Sequence, residues 1–193
     1  MDALLGMFHD GVGEFGARVK AVDAGQWGSP TPDTDWCVAD LVGHLTEEHR
    51  WIPPLLDGHD LEAAGKIVAA ASVARGSGVG DLAAEWEGAA RASLDAVGEP
   101  DALERSVALS RGSTPARQYL AEMIFDLVLH SWDLGTAIGY RGEFPPETVE
   151  FVYSQVKDMG DLSGTGMFAA PVDVLESAPT MTKLLAATGR TPR

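Results

Sequence analysis

Apolar residues recur along this chain at three- and four-residue steps, the period of amphipathic helices packed on one another. Between Asp2 and Ala24 the positions Leu4, Leu5, Phe8, Val12, Phe15, Val19 and Val22 form one such stripe. Gly25 and a loop rich in Pro, Gly, Ser, Thr and Asp, from Trp27 to Thr34, separate it from a second helix. That helix is expected to start near Asp35 as N-cap and to run through Val38, Leu41, Val42 and Leu45 to Trp51, with Pro53-Pro54 ending or kinking it. Alanine-rich Asp60–Arg75 reads as a third helix, weakened by Gly65 and broken at Gly76-Ser77-Gly78. Asp81 is placed to cap a fourth, Leu82–Val97, which Gly98 and Pro100 end.

The stretch Leu103–Arg111 fits neither helix nor strand cleanly. Thr114-Pro115 then reads as a cap with proline at the first helical position, opening the longest helix, Ala116–Ile138, closed by Gly139. A helix over Glu147–Met159, an irregular segment Gly160–Ala178 and a short last helix, capped by Thr180 and reaching Ala187, complete the pattern. No repeat and no βαβ alternation is visible, so the expectation is all-α: an antiparallel bundle in one domain spanning residues 1–193, with short additional C-terminal helices.

Composition narrows the function. Against 29 Asp+Glu stand 14 Lys+Arg, a net charge of −15. So acidic a chain is repelled by phosphate backbones and anionic lipid, which argues against nucleic-acid and membrane-surface partners. No run of 18 apolar residues is present, and Met1-Asp2-Ala3-Leu4-Leu5 lacks the basic start of a signal peptide, so a cytoplasmic location is expected. A homodimer through an exposed apolar helix face is compatible with the pattern. The single Cys37 excludes an internal disulfide and a cysteine-cluster metal site; it reads as a buried structural thiol, with His44 at i+7 as the candidate base were it a nucleophile. Gly11-Val-Gly13 and Gly164-Thr-Gly166 lack the strand and basic residue of a phosphate loop.

The candidate chemistry lies on Ala116–Ile138. Glu122, Asp126, His130 and Asp133 follow one another at spacings of 4, 4 and 3. At about 100° per residue they fall within about 80° of one another. Asp126 and His130, an i, i+4 pair, can point at a common centre and supply two ligands to a divalent metal. The same stripe can be a solvated helix face, although no Lys or Arg lies between Arg117 and Arg141. A third ligand would come from His44, about 60° from the Leu41 direction at the edge of the second helix's apolar face. A lone inward histidine is otherwise a hydrogen-bonded core residue. Glu48 follows one turn on; Glu48 and Asp133 are candidates to orient His44 and His130 through their other ring nitrogens. His9, His49 and His59 read as surface or packing residues, and Trp36, Trp51 and Trp132 as bundle packing.

Two segments carry a resemblance. Trp27-Gly-Ser-Pro-Thr-Pro-Asp-Thr-Asp-Trp36-Cys-Val-Ala-Asp40-Leu-Val-Gly-His44-Leu and Asp126-Leu-Val-Leu-His130-Ser-Trp132-Asp133-Leu-Gly-Thr-Ala-Ile-Gly139 resemble the DinB-like superfamily, in its mycothiol-dependent maleylpyruvate isomerase N-terminal branch. The tail from Met167 through Leu184 to Arg193 is similar to the branch's C-terminal closure. The resemblance implies a four-helix bundle of DinB type with a divalent metal, often zinc, at one end, held at the positions of His44, Asp126 and His130. The family's usual acid at the second of these is Glu. It also implies the low-molecular-weight thiol mycothiol as cofactor and a small electrophilic substrate. Three ligands on zinc leave a fourth position open, where a thiol would lose its proton and act in an S-transfer or a cis–trans isomerisation. The other reading is a non-catalytic DinB-like bundle that binds a metal or small ligand structurally.

Overall fold

The computed structural model describes residues 2–33, 35–73, 82–160, 162–165 and 168–192. The chain divides into two compact units, Met1–Arg141 and Gly142–Arg193. The first holds helices α1 (Ala3–Lys20), α2 (Val38–Leu56), α3 (Leu61–Val73), α4 (Leu82–Val97) and α5 (Ala116–Ile138), with a hairpin of β1 (Ser106–Leu109) and β2 (Gly112–Pro115) before α5. Helix α2 packs along α4 and α1 along α5; α1 also meets α4 and α2 meets α5, closing a four-helix ring. Phe8, Phe15, Leu41, Leu45, Ile52, Trp86, Leu120, Ile124 and Leu127 fill it, all essentially inaccessible. Phe15 meets Trp86 edge to face, with ring centroids 4.6 Å apart. The fold is all-α, with the hairpin as its one sheet among the described residues.

The element boundaries show which local signals tertiary packing overrode. Helix α1 stops at Lys20, so Val22 and Ala24 lie beyond it; Asp2 caps it, its Oδ1 accepting from the Leu4 amide at 2.9 Å. Helix α2 is capped at Cys37 rather than Asp35, and Cys37 is half-buried, not a core thiol. Its backbone N–H donates to Asp40 Oδ2 at 3.0 Å, which ties the first turn together.

Pro53 and Pro54 do not end α2, which continues to Leu56. The two rings remove only two adjacent amide donors, and the Pro53 and Pro54 carbonyls still accept from Asp57 (2.9 Å) and His59 (3.1 Å). Pro54, Leu55 and Leu56 are buried, and that packing holds the turn. Thr114 belongs to β2 instead of capping α5, whose cap is Pro115; likewise Pro179, not Thr180, caps the last helix. The hairpin turns at Ser110-Arg111, pairing Leu109 with Gly112 at φ 110°, a conformation that favours glycine. The expected break at 76–78, the cap at 81, the end of the third helix at 74–75 and positions 34, 166 and 167 lie outside the described residues.

In the second unit α6 (Pro146–Met159) packs with α7 (Thr180–Ala187), and a 3-10 turn lies at Ser163–Thr165. Gly189 follows α7 at φ +77°, where a Cβ would sit 2.7 Å from Ala169. The closing segment therefore needs glycine there.

Candidate metal centre

Helices α2 and α5 are neighbours in the ring, and their facing edges bring His44, Asp126 and His130 together. One ligand atom from each lies within 4.8 Å of the others. His44 Nε2 is 3.3 Å from Asp126 Oδ2, and His130 Nε2 is 3.6 Å from Asp126 Oδ1. The two imidazoles meet nearly edge to face, centroids 5.4 Å apart. His44 and Asp126 keep partial access to solvent, with 29% and 23% of their side chains exposed, whereas His130 is buried. The i, i+4 geometry of α5 thus converges on the edge histidine of α2.

Behind His130 stands Asp133, whose carboxylate is wholly buried. A carboxylate can only accept, so the His130 Nδ1–H donates to Asp133 Oδ2 at 3.1 Å. That fixes the ring's orientation and leaves Nε2 turned toward Asp126. A neutral imidazole so held presents a lone pair to a carboxylate oxygen, an arrangement satisfied by a positive charge between them. Zinc bonds of about 2.0–2.1 Å place tetrahedral ligand atoms about 3.3–3.4 Å apart. The 3.3 Å spacing from His44 matches that figure, and the 3.6 Å spacing from His130, to the other carboxylate oxygen, is slightly wider.

Electrostatics reinforce the cluster. Burial opposes charge on Asp126, but the His44 hydrogen bond and the nearby His130, His44 and His49 rings outweigh it and hold the carboxyl below its ordinary range. His44 is the reciprocal case: burial works against its proton, while Asp126, and then Glu48 and Glu47, raise its pKa above the usual value. Glu48 shares the field without bonding to His44, whose ring partner is Asp126. Its own pKa is raised by burial and by Asp126, against the pull of His44. Glu122 leaves the stripe altogether, both its oxygens held by Arg111 Nη2 at 2.7 and 2.8 Å.

Two contributors escape a reading by periodicity. The Trp36 ring lies 4.7 Å from that of His44 and 5.6 Å from that of His130, so this tryptophan covers the cluster instead of packing the bundle. It is delivered by a loop folded back on itself: Thr31 N donates to Trp36 O at 3.0 Å, Pro30 bridges to Cys37, and Val38 N donates to Ser29 O. Asp33 of that loop groups with His130 and Asp133 within 4.8 Å. Their only trace in the sequence is membership of the segment Trp27–Leu45. His49 is a packing residue, buried between Phe8 and Trp86, with Nδ1 2.8 Å from Ser93 Oγ. His9 and His59 are exposed.

The fold is DinB-like, with a histidine–carboxylate cluster between two helices of its ring. The chain belongs to the mycothiol maleylpyruvate isomerase N-terminal domain family, whose profile matches residues 8–135. Two curated Mycobacterium tuberculosis proteins, both named only as uncharacterized, are 28% identical to it over 137 residues, 69% of this chain and 66% of theirs. The match therefore spans just under two thirds of the length of those relatives. Among solved structures, a mycothiol-dependent maleylpyruvate isomerase superposes with a TM-score of 0.60 at 17% identity, over 80% of this chain and 68% of its own. A histidine-to-alanine mutant of that enzyme superposes with a TM-score of 0.65 at 18% identity, over 98% and 81%. At such identities these two likenesses show the fold. Among the described residues no helix is long and apolar enough to cross a membrane.

Proposed function

We propose that His44, Asp126 and His130 hold a divalent metal, zinc by relationship to the family, and that the protein is a thiol-dependent S-transferase or cis–trans isomerase of the cytoplasm, acting on a small electrophilic metabolite. One observation supports this above the rest. Two imidazole Nε2 atoms converge on a single carboxylate at 3.3 and 3.6 Å while the Nδ1 of one is tied to a buried aspartate. Bound there, the metal would supply a Lewis-acid position that favours the thiolate of a small thiol, mycothiol by relationship to the family.

The chain's own part is to orient and to shield. Asp133 holds His130 in one tautomer, Asp126 balances the two rings, and Trp36 covers one side of the cluster. Half-exposed His44 and Asp126 leave the approach.

The test is metal content. Protein grown with zinc should carry close to one equivalent, and His130→Ala should carry little. Incubation with mycothiol and a panel of electrophiles, followed by mass spectrometry, should then yield an adduct or an isomer. The second reading, a non-catalytic bundle, draws on the direct hydrogen bond between His44 and Asp126, which gives both side chains a partner without a metal. Metal-free wild-type protein after growth with zinc would favour it.

A further inference from the structure

One turn along α2 from His44 stands Glu48, and one turn back along α5 from Asp126 stands Glu122. Four residues advance a helix by about 6 Å, so both helices leave the metal cluster in step. Continuing along them, Trp51 and Leu55 of α2 and Tyr119 of α5 form, with these acids and Arg111 of the hairpin turn, a pocket of about 390 Å³. Tyr119 is buried, and its hydroxyl has no hydrogen-bond partner among the described residues. A buried hydroxyl left without a partner is costly, and a ligand group can supply one.

We infer that this pocket seats the organic part of the molecule that reacts at the neighbouring cluster, and that it takes a compound carrying hydroxyl, amide or amine donors rather than a carboxylate. Only the placement of the reacting end rests on the metal reading above.

Charge decides the class. The cation in the wall, Arg111, is already matched by the two Glu122 oxygens at 2.7 and 2.8 Å. What faces the pocket beyond that pair is acidic: Glu48, with Asp126 behind it. Those two carboxyls already oppose each other, for the Asp126 charge helps to push the Glu48 pKa up. The Tyr119 proton is likewise held more tightly through burial and the charges of Glu48, Glu122 and Asp126. A carboxylate ligand would add another like charge in a partly desolvated place. A donor group instead finds an acceptor in Glu48, a partner in the Tyr119 hydroxyl and an apolar wall in Trp51 and Leu55.

Two thiols that differ at the far end separate the possibilities: 1-thioglycerol, with hydroxyls, and 3-mercaptopropionate, with a carboxylate. Each is titrated into the full chain as purified, and the methyl NMR signals of Leu55 and Met123 are followed. 1-Thioglycerol should half-saturate the shift at a concentration at least tenfold lower. Tyr119→Phe, which keeps the ring, should raise that concentration at least fivefold with the unfolding midpoint unchanged. Glu48→Gln should narrow the preference by admitting the anionic thiol. Equal or tighter binding of 3-mercaptopropionate, unmoved methyls with both thiols, or an unaltered Tyr119→Phe titration would overturn the proposal. The metal content of the same samples reports separately: metal-free protein that keeps the preference supports the pocket and overturns the metal centre.

Discussion

The carboxylate of Asp133 is completely buried and lies 3.1 Å from the Nδ1 of His130. A carboxyl with no solvent contact persists in a fold only when it is paired, and one of its partners here is the back of a proposed ligand.

Asp133→Asn tests that pairing. An amide still reaches His130, but it neither fixes the Nδ1–H tautomer nor raises the basicity of Nε2. Zinc affinity, measured by competition with a chromophoric chelator, should fall by about 10- to 100-fold while the helical content is kept. Unchanged affinity would mean that Asp133 serves packing alone.

The His44–Asp126 bond sets the pH dependence of metal loading. Ligation needs the neutral imidazole, yet Asp126 and its acidic neighbours raise the His44 pKa above its ordinary value. Zinc must therefore displace a proton near pH 6 and less of one at pH 8. Calorimetry in buffers of different ionisation enthalpy should show more proton release at pH 6 than at pH 8. Asp126→Asn should abolish most of this difference, together with much of the affinity.

His49 governs stability toward acid. Burial depresses its pKa to about 3, against 6.5 for a free histidine, with a small counter-pull from Asp126. The sign follows from the depressed value. Above pH 6.5 both folded and unfolded states are neutral and this stabilisation is fully present. As pH falls from 6.5 toward 3, the unfolded chain takes up a proton that the folded one refuses, and stability is lost. Between pH 7 and pH 5 the loss is about 2 kcal/mol. Urea unfolding at the two pH values should show it, and His49→Gln, which can still donate to Ser93, should reduce the difference.

How much of this was readable beforehand depends on the range of the interaction. The α1, α2 and α5 stripes are legible because burial of one face imposes its own period on adjacent residues, and Asp126 and His130 follow from that same period. His44 is legible only as an edge residue, because its partner lies 82 positions away. Glu122 shows the limit: it shares the stripe's angle yet is drawn off by Arg111, on a hairpin whose four-residue strands carry no clear alternation. Pro53-Pro54 misleads for the opposite reason, since a local breaker is outweighed by the burial of Pro54, Leu55 and Leu56. Asp33 and Trp36 have no periodicity to betray them; the Pro30–Cys37 bridge puts them at the cluster.

That same loop makes Trp36 a reporter for the centre. Its ring sits within 6 Å of both imidazoles, at 4.7 and 5.6 Å between centroids. Cobalt(II), which accepts the coordination of zinc and quenches excited indoles nearby, should lower the intrinsic fluorescence on binding. The quenched component should disappear in Trp36→Phe while the cobalt visible absorption remains, because phenylalanine keeps an aromatic cover on His44 and leaves the three ligands in place. His44→Ala should remove absorption and quenching together. If Trp36→Phe is quenched as strongly as the wild type, cobalt binds away from this loop, and the His44–Asp126–His130 assignment fails with it.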